Sequence, residues 1–418
     1  MILFGAILRL RMTRNFFCTL ICIPILLIFF KNAYAFKPVV IIPGTGGSQL
    51  EAKLNKPSVN HFYCSQTSDW YTIWFSIAQL IPPFVNCWVD NIKLLWNSST
   101  HTYSNNIGVS TRVPYSDGST LNFEFLDPSI RFGSSDYFHT LVEAMVQAGG
   151  VRNVSIRGSP YDFRYTPSSA YSGRWMEKMT SLIEETYEIN NQTKVTILSH
   201  SMGCLYGLWF LNQKSLNWKS RYILQWIPTG GVFGGAALGI KQLLSGDISI
   251  VPIPGLTGLT VREEQRSYES NMMLLPTPQV WGNETIIQTT NRNYSSYDYQ
   301  TLFEKSNFQN GYERYQLVSN LTSNLDAPGV DTTHLYGINT DTPTSFRYSS
   351  VHNFDEEPEV IYGNGDDIVP LISLQSAGIM WANNNNGKGF VEKTYNGQTH
   401  LGILKSQQYI QDILRLLE

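Results

Sequence analysis

The chain has 418 residues, 42% hydrophobic and 13% aromatic, with only 15% charged and a formal net charge of −3. That is apolar material for a large core and more than one structural unit, and with no basic run or internal repeat it gives nucleic acid nothing to bind. The aromatic content suits a protein that handles hydrocarbon.

At the amino end, Arg9, Arg11 and Arg14 precede the apolar run Phe16 to Phe30, and Ala33-Tyr34-Ala35 has the small-x-small form of a signal-peptidase site. Residues 1–35 are therefore predicted to be a cleaved signal peptide, with a retained anchor as the alternative. The run is shorter than the roughly 20 residues of a spanning helix, and Pro24 interrupts it. Cys18 and Cys22 leave with that leader, so Cys64, Cys87 and Cys204 remain. In an oxidising compartment Cys64 and Cys87 are the expected pair and Cys204 stays free. Two cysteines with no histidine or third sulfur nearby make a poor metal site, and no metal or cofactor is expected. Six Asn-x-Ser/Thr sequons, at Asn97, Asn153, Asn191, Asn283, Asn293 and Asn320, are candidate glycosylation sites in a secretory chain.

Val39 to Ile42 reads as a short strand ending in Pro43-Gly44-Thr45-Gly46-Gly47-Ser48, a glycine-rich turn without phosphate-loop or dinucleotide spacing. Such a turn near the amino end supplies one backbone N–H of an oxyanion hole in a serine hydrolase. The loop between Cys64 and Cys87 has a single charge, Asp69. It carries Trp70, Trp74, Phe75, Leu80, Ile81 and Phe84, an interfacial wedge in which these six side chains are expected to meet a membrane. A buried hairpin is the alternative.

Phe138 to Ala148 and Trp175 to Glu188 have helical spacing, and Tyr222 to Ile227 reads as a strand. Between them, Val195 to Leu198 runs into Ser199-His200-Ser201-Met202-Gly203, followed by a helix-patterned run from Leu205 to Leu211. Strand, abrupt turn and helix with a hydroxyl at the apex form a nucleophile elbow, which makes Ser201 the candidate nucleophile and the Met202 N–H the second oxyanion donor. Alternating strands and helices predict a mostly parallel sheet. From about Leu238 to Pro343 the alternation dissolves into a Tyr-, Asn-, Ser- and Thr-rich stretch read as a cap. Glu359 to Tyr362 and Gly389 to Tyr395 are then expected to resume the sheet, and Tyr409 to Leu417 to close the chain as a helix.

A serine needs a base and a group to orient it, in the order Ser, acid, His for this kind of sheet. Tyr362 to Val369 offers a strand ending in Gly365-Asp366-Asp367, and Gly397-Gln398-Thr399-His400 lies just ahead of the last helix. Of seven histidines, His400 is the expected base; His61, His101, His139, His334 and His352 read as structural or solvated, and His200 sits inside the elbow pointing elsewhere. Asp366 is favoured over Asp367 because it directly follows the glycine turn, and Asp367 stays open as a solvated neighbour or a cap.

With these pieces the chain resembles the lecithin:cholesterol acyltransferase family, most closely its group XV branch. The resemblance rests on Pro43-Gly44, Gly47 to Leu54, Thr72-Ile73-Trp74, Cys87-Trp88-Val89-Asp90-Asn91, Glu124 to Pro128, Pro160-Tyr161-Asp162-Phe163-Arg164, His200 to Gly203, Ile361 to Val369 and His400. It implies an α/β-hydrolase with an inserted cap and a small disulfide-bridged membrane-binding subdomain. The expected parts are core from 36–63, membrane-binding subdomain 64–105, core with part of the cap 106–237, cap 238–345 and core 346–418. It also implies Ser201 as nucleophile, Asp366 as orienting acid, His400 as base, and Thr45 and Met202 as oxyanion donors.

The implied activity removes a fatty acyl chain from a glycerophospholipid at a membrane surface and passes it to water or to a lipid alcohol of ceramide type, in the lysosome or outside the cell. A sterol-esterifying enzyme of the same family and a non-catalytic lipid-binding glycoprotein are the alternatives. Thr45 stands where the family's lysosomal branch carries an acidic residue, and Gly231-Val232-Phe233-Gly234-Gly235 departs from the family's Ala-Pro-Trp-Gly-Gly. The first departure bears on pH optimum and the second on the shape of the acceptor side.

Overall fold

The structure is a computed structural model describing residues 36–169, 173–249, 252–323, 325–349 and 354–418. The expected signal peptide and His352 lie outside the described residues. Among those residues no helix is long and apolar enough to cross a membrane.

The chain enters through β1 (Val39–Ile42), in which every side chain is buried. It continues into β2 (Leu50–Leu54) and β3 (Tyr71–Trp74), then helix α1 (Val85–Ile92) and β4 (Val109–Arg112). Helix α2 (His139–Gln147), β5 (Ile156–Gly158), helix α3 (Gly173–Ile189) and β6 (Val195–His200) follow, then helix α4 (Met202–Asn212) and β7 (Ile223–Thr229). Helices α5 (Ala237–Leu244) and α6 (Gly258–Ser267) open the region over the sheet. The chain returns through β8 (Thr332–Ile338), β9 (Thr340–Arg347), β10 (Glu359–Gly365), β11 (Phe390–Asn396) and helix α7 (Gln407–Leu416).

Six strands form one sheet in the order β11-β8-β7-β6-β1-β5, and every pairing in it is parallel. Its central strands are covered on both faces, which is why they read as unbroken apolar runs. Val40, Ile42 and Ile197 join the core shared with the cap region, whereas Val39, Ile41 and Leu198 face the core under α2 and α7. This is the α/β-hydrolase arrangement expected from the sequence.

Two expectations about the carboxyl-terminal third need correction. Thr332–Ile338 falls within the expected cap of 238–345, yet it is a sheet strand between β7 and β11. Glu359–Gly365, expected to resume the main sheet, instead pairs antiparallel with β9 in a separate four-stranded sheet. The reason is the single-residue link at Asn339, whose positive φ of 61° takes the chain out of the parallel sheet between β8 and β9. β9 therefore offers β10 a partner outside the parallel sheet.

Cys64 and Cys87 form a disulfide across the small subdomain, and Cys204 is free and buried. All six sequon asparagines, Asn97, Asn153, Asn191, Asn283, Asn293 and Asn320, are exposed.

The interfacial wedge is only partly what the sequence suggested. Ile81 (48% exposed) and Phe84 (51%) do face solvent. Phe75 and Leu80 are buried, because the subdomain uses them to pack against its own core. Trp74 turns inward, donating its indole N–H to the Gly46 carbonyl at 2.6 Å. Trp70 is half-buried under the Arg112 guanidinium, 4.1 Å from the ring centroid. Ile77, in the same loop, is also exposed, and Phe62, 98% exposed just outside the disulfide loop, was not foreseen.

Candidate active site

At the end of β6 the backbone makes the turn the sequence predicted. Ser201 has φ 57° and ψ −129°, a strained conformation for a residue with a side chain, and α4 begins at the next residue. Close packing dictates the small neighbours. A Cβ on Gly203 would come within 2.3 Å of the Pro43 carbonyl oxygen, and one on Gly44 within 2.7 Å of Ser201 Cβ. Ser199, where the elbow pattern has glycine, is explained by its hydroxyl, which accepts the indole N–H of buried Trp226 at 2.9 Å.

His400 and Asp366 meet directly. His400 Nδ1 lies 2.7 Å from Asp366 Oδ2, and both residues are buried. The other oxygen, Asp366 Oδ1, accepts the backbone N–H groups of Val369 (2.7 Å) and Ile368 (3.2 Å), which fixes the carboxylate's orientation. Asp367 is not a second candidate for the ring: its Oδ1 accepts the backbone N–H of His400 at 2.9 Å. It anchors the loop rather than the imidazole. His400 Nε2, the nitrogen opposite Asp366, is buried with no hydrogen-bond partner among the described residues.

The serine and the histidine are brought together through β7. Ser201 donates its N–H to the Thr229 carbonyl at 2.9 Å. The next residue, Gly230, has φ 56° and no room for a side chain, since a Cβ there would sit 3.1 Å from both His400 Cε1 and Nδ1. His200 completes the frame. The Gly44 N–H donates to the Tyr137 hydroxyl (2.9 Å), so the hydroxyl proton goes to His200 Nδ1 (2.6 Å) and His200 Nε2–H donates to the His400 carbonyl (2.9 Å). Burial, with the nearby His400 adding to it, holds His200 far below the usual imidazole range, consistent with that neutral tautomer. One chain of hydrogen bonds thus ties the glycine-rich turn to the loop carrying His400. Tyr137 and His200 were missed as positioning residues, and only the adjacency of His200 to Ser201 hinted at them.

The glycine-rich turn is braced from the other side as well. Tyr161 donates its hydroxyl to the Pro43 carbonyl (2.8 Å) and its N–H to Ser48 Oγ (3.1 Å). Three residues on, fully buried Arg164 is held by Asp162 and the Ile92 carbonyl. Gly44 spends its N–H on Tyr137, so Thr45 is the next amide in the turn, while the Met202 amide sits in the first turn of α4, where a helix offers it no partner.

Phe233, in the departing Gly231 to Gly235 segment, is buried between Trp226, His334 and Trp381. Phe233 is thus a core residue and does not line the cavity that includes Thr45. Among the described residues, Glu124, His139 and Glu143 have metal-ligand spacing, but Arg152 bonds both glutamates and Thr120 also holds Glu124. The cluster is an ion-pair network explaining the Glu124 motif.

A cavity of about 140 Å³ opens beside the glycine-rich turn, lined by Thr45, Gly46, Trp74, Trp88 and Phe163 and closed by α6.

Comparison with known proteins agrees with this geometry. The family model Lecithin:cholesterol acyltransferase matches residues 70–407. The chain is 39% identical over 340 residues to the Lysosomal phospholipase A and acyltransferase of Rattus norvegicus, covering 81% of this chain and 80% of that one. It is 36% identical over 346 residues to the Phosphatidylcholine-sterol acyltransferase of Mus musculus, covering 82% and 76%. Among solved structures, a chain of the Tle4-Tli4 complex superposes with a TM-score of 0.51 at 13% identity, covering 92% of this chain and 99% of that one, a likeness of fold alone.

Proposed function

The chain belongs to the lecithin:cholesterol acyltransferase family, and from that premise we propose that it runs acyl transfer in two halves through Ser201. It is a serine lipase and acyltransferase acting on phospholipid. The observation that carries the site assignment is the His400 ring, gripped by Asp366 on Nδ1, unpartnered on Nε2 and packed against Gly230, the residue after the Thr229 carbonyl that accepts the Ser201 N–H.

His400 Nε2 takes the Ser201 hydroxyl proton as Oγ attacks the ester carbon. The negative charge on the former carbonyl oxygen is met by the N–H groups of Thr45 and Met202, each such donor being worth roughly 3 kcal/mol in serine hydrolases. His400 then gives its proton to the departing lysophospholipid. In the second half, water or a lipid alcohol delivers its proton to His400 and its oxygen to the acyl carbon, and Ser201 leaves reprotonated. On this reading the lipid alcohol is one such as ceramide. The route is secretory, and the destination is the lysosome or the extracellular fluid. The exposed Asn97, Asn153, Asn191, Asn283, Asn293 and Asn320 carry glycans on this reading.

Membrane contact is assigned to Ile81 and Phe84 with Ile77 and Phe62, not to Trp74, Phe75 or Leu80. Changing Ile81 and Phe84 together to serine is expected to weaken binding to phosphatidylcholine vesicles by about tenfold or more, since each loses interfacial apolar area. Hydrolysis of a soluble short-chain ester should be unaffected; unchanged vesicle sedimentation removes this surface from the account.

Product analysis on phospholipid vesicles, with and without a ceramide-type alcohol, tests the whole reading at pH 4.5 and 7.4. Burial alone would lower the His400 pKa, but the Asp366 carboxylate overrides it and holds the group above its ordinary 6.5. Only neutral His400 accepts the serine proton, so turnover is expected to be higher at 7.4 than at 4.5. Thr45 adds no ionisable group to the oxyanion turn that would reverse this. The stability linkage has the opposite sign: a raised folded-state pKa stabilises fully below 6.5 and is lost as pH climbs through the folded value. Activity maximal at 4.5 overturns this pH expectation.

A further inference from the structure

The cavity beside Thr45 is lined by two buried polar groups that find no partner in the protein beyond a weak interaction with each other. Glu264 (5% exposed) and Tyr268 (6%) lie one helical turn apart at the end of α6, and both line the cavity. Glu264 Oε2 and the Tyr268 hydroxyl are buried and make no hydrogen bond of normal geometry among the described residues, although the two side chains lie close enough to interact with each other. Three of the other polar side chains lining the cavity, Gln265, Asn271 and Asp247, are already engaged. Gln265 is bonded through both side-chain atoms to the Asp247 backbone, Asn271 donates to the Gln265 carbonyl, and the Asp247 carboxylate is held by Lys241 at 2.7 Å. Leaving two adjacent buried polar atoms unsatisfied costs stability, and native chains keep such a feature where a ligand completes it.

We propose that Glu264 and Tyr268 are the polar end of an acceptor subsite, binding the uncharged amide or second hydroxyl of the lipid alcohol whose reactive hydroxyl reaches Ser201. This rests on the acyltransferase reading and specifies its acceptor. Three features select that chemistry. No lysine or arginine lines the cavity, which leaves a phosphate without a partner. Burial, only partly offset by the Tyr268 hydroxyl and the Arg164 charge, pushes the Glu264 carboxyl up to about 8, so at neutral pH and below it is neutral and offers no counter-charge to a choline-type cation. A neutral carboxyl and a phenol each donate and accept, as do a hydroxyl and a secondary amide, whereas an ester only accepts. The apolar wall of Trp74, Leu80, Trp88, Phe163, Leu256 and Val261 suits the hydrocarbon attached to that group.

The test uses the full mature chain on phosphatidylcholine vesicles containing either an N-acyl amino-diol lipid or a simple long-chain primary alcohol, measuring acylated alcohol relative to free fatty acid. Both products come from one acyl-serine, so effects on its formation cancel in the ratio. Glu264→Leu and Tyr268→Phe are expected to lower transfer to the amide-bearing alcohol about two- to tenfold, the loss of one hydrogen bond each, and to leave transfer to the simple alcohol unchanged. Glu264→Gln, which still donates and accepts, should keep the wild-type ratio. Because Glu264→Leu removes an unsatisfied group, its melting temperature should equal or exceed that of wild type. Ratios unchanged in Glu264→Leu and Tyr268→Phe, an equal fall for both alcohols, or a destabilised Glu264→Leu overturns the subsite. Wild-type chain that yields only fatty acid with both alcohols overturns the acyltransferase reading, and the subsite with it.

Discussion

Ser201→Ala is expected to lower fatty acid release from phospholipid vesicles by on the order of 10⁴-fold or more, as loss of the nucleophile does in other serine hydrolases. The argument is geometric. Ser201 Oγ is the atom the strained turn presents, and no other hydroxyl is offered by that turn. Alanine keeps the Cβ that the position already accommodates against Gly44, so the turn, the disulfide and the sheet should survive. Secretion, melting temperature and vesicle binding should therefore match wild type, and labelling by a fluorophosphonate probe should vanish with the activity. Lysophospholipid and fatty acid production by the alanine variant above a thousandth of the wild-type rate removes Ser201 from the mechanism.

The second large effect separates two adjacent carboxylates. Asp366→Asn is expected to lower kcat by on the order of 10⁴, the loss seen when a triad acid becomes its amide. With Asp366 Oδ1 occupied by the Ile368 and Val369 amides, the atom facing His400 Nδ1 would be the amide NH₂, a donor where an acceptor is required. His400 would be forced into the tautomer with its proton on Nε2, where it cannot take one from Ser201. Asp367→Asn should cost less than about tenfold, because an amide oxygen still accepts the His400 backbone N–H. Burial holds the Asp367 carboxyl above the usual carboxylate range, so a neutral replacement is a small change. Single-turnover acylation rates for the two variants decide it: a larger loss in Asp367→Asn would exchange the roles.

Much of this site was legible because it is local. The elbow is written in consecutive residues, Val195 to Gly203, whose strand, turn and helix preferences need no distant partner to be recognised. Asp366 could be favoured over Asp367 for a similar reason, since the residue directly after the glycine turn is the one aimed at the ring. The expected wedge failed at Trp74, Phe75 and Leu80 because hydrophobicity states that a side chain leaves water, not whether it enters lipid or its own core. Thr332–Ile338 was folded into the cap because its threonines and histidine resemble their polar surroundings, and only its slot between β7 and β11 makes it a sheet strand.

By itself, then, the sequence determined the turn that strains Ser201, the pairing of Cys64 with Cys87, the parallel α/β pattern and the order of serine, acid and histidine. Tertiary structure alone decided that Tyr137 and His200 lock the glycine-rich turn to the His400 loop, that Asp367 anchors backbone, and that Glu264 and Tyr268 face an unfilled cavity. The division follows the range of the forces involved. Backbone preferences and turn chemistry act between neighbours and are spelled out in order, whereas the burial of a polar atom and the partner it finds depend on residues 33 to 200 positions away, which no local pattern encodes.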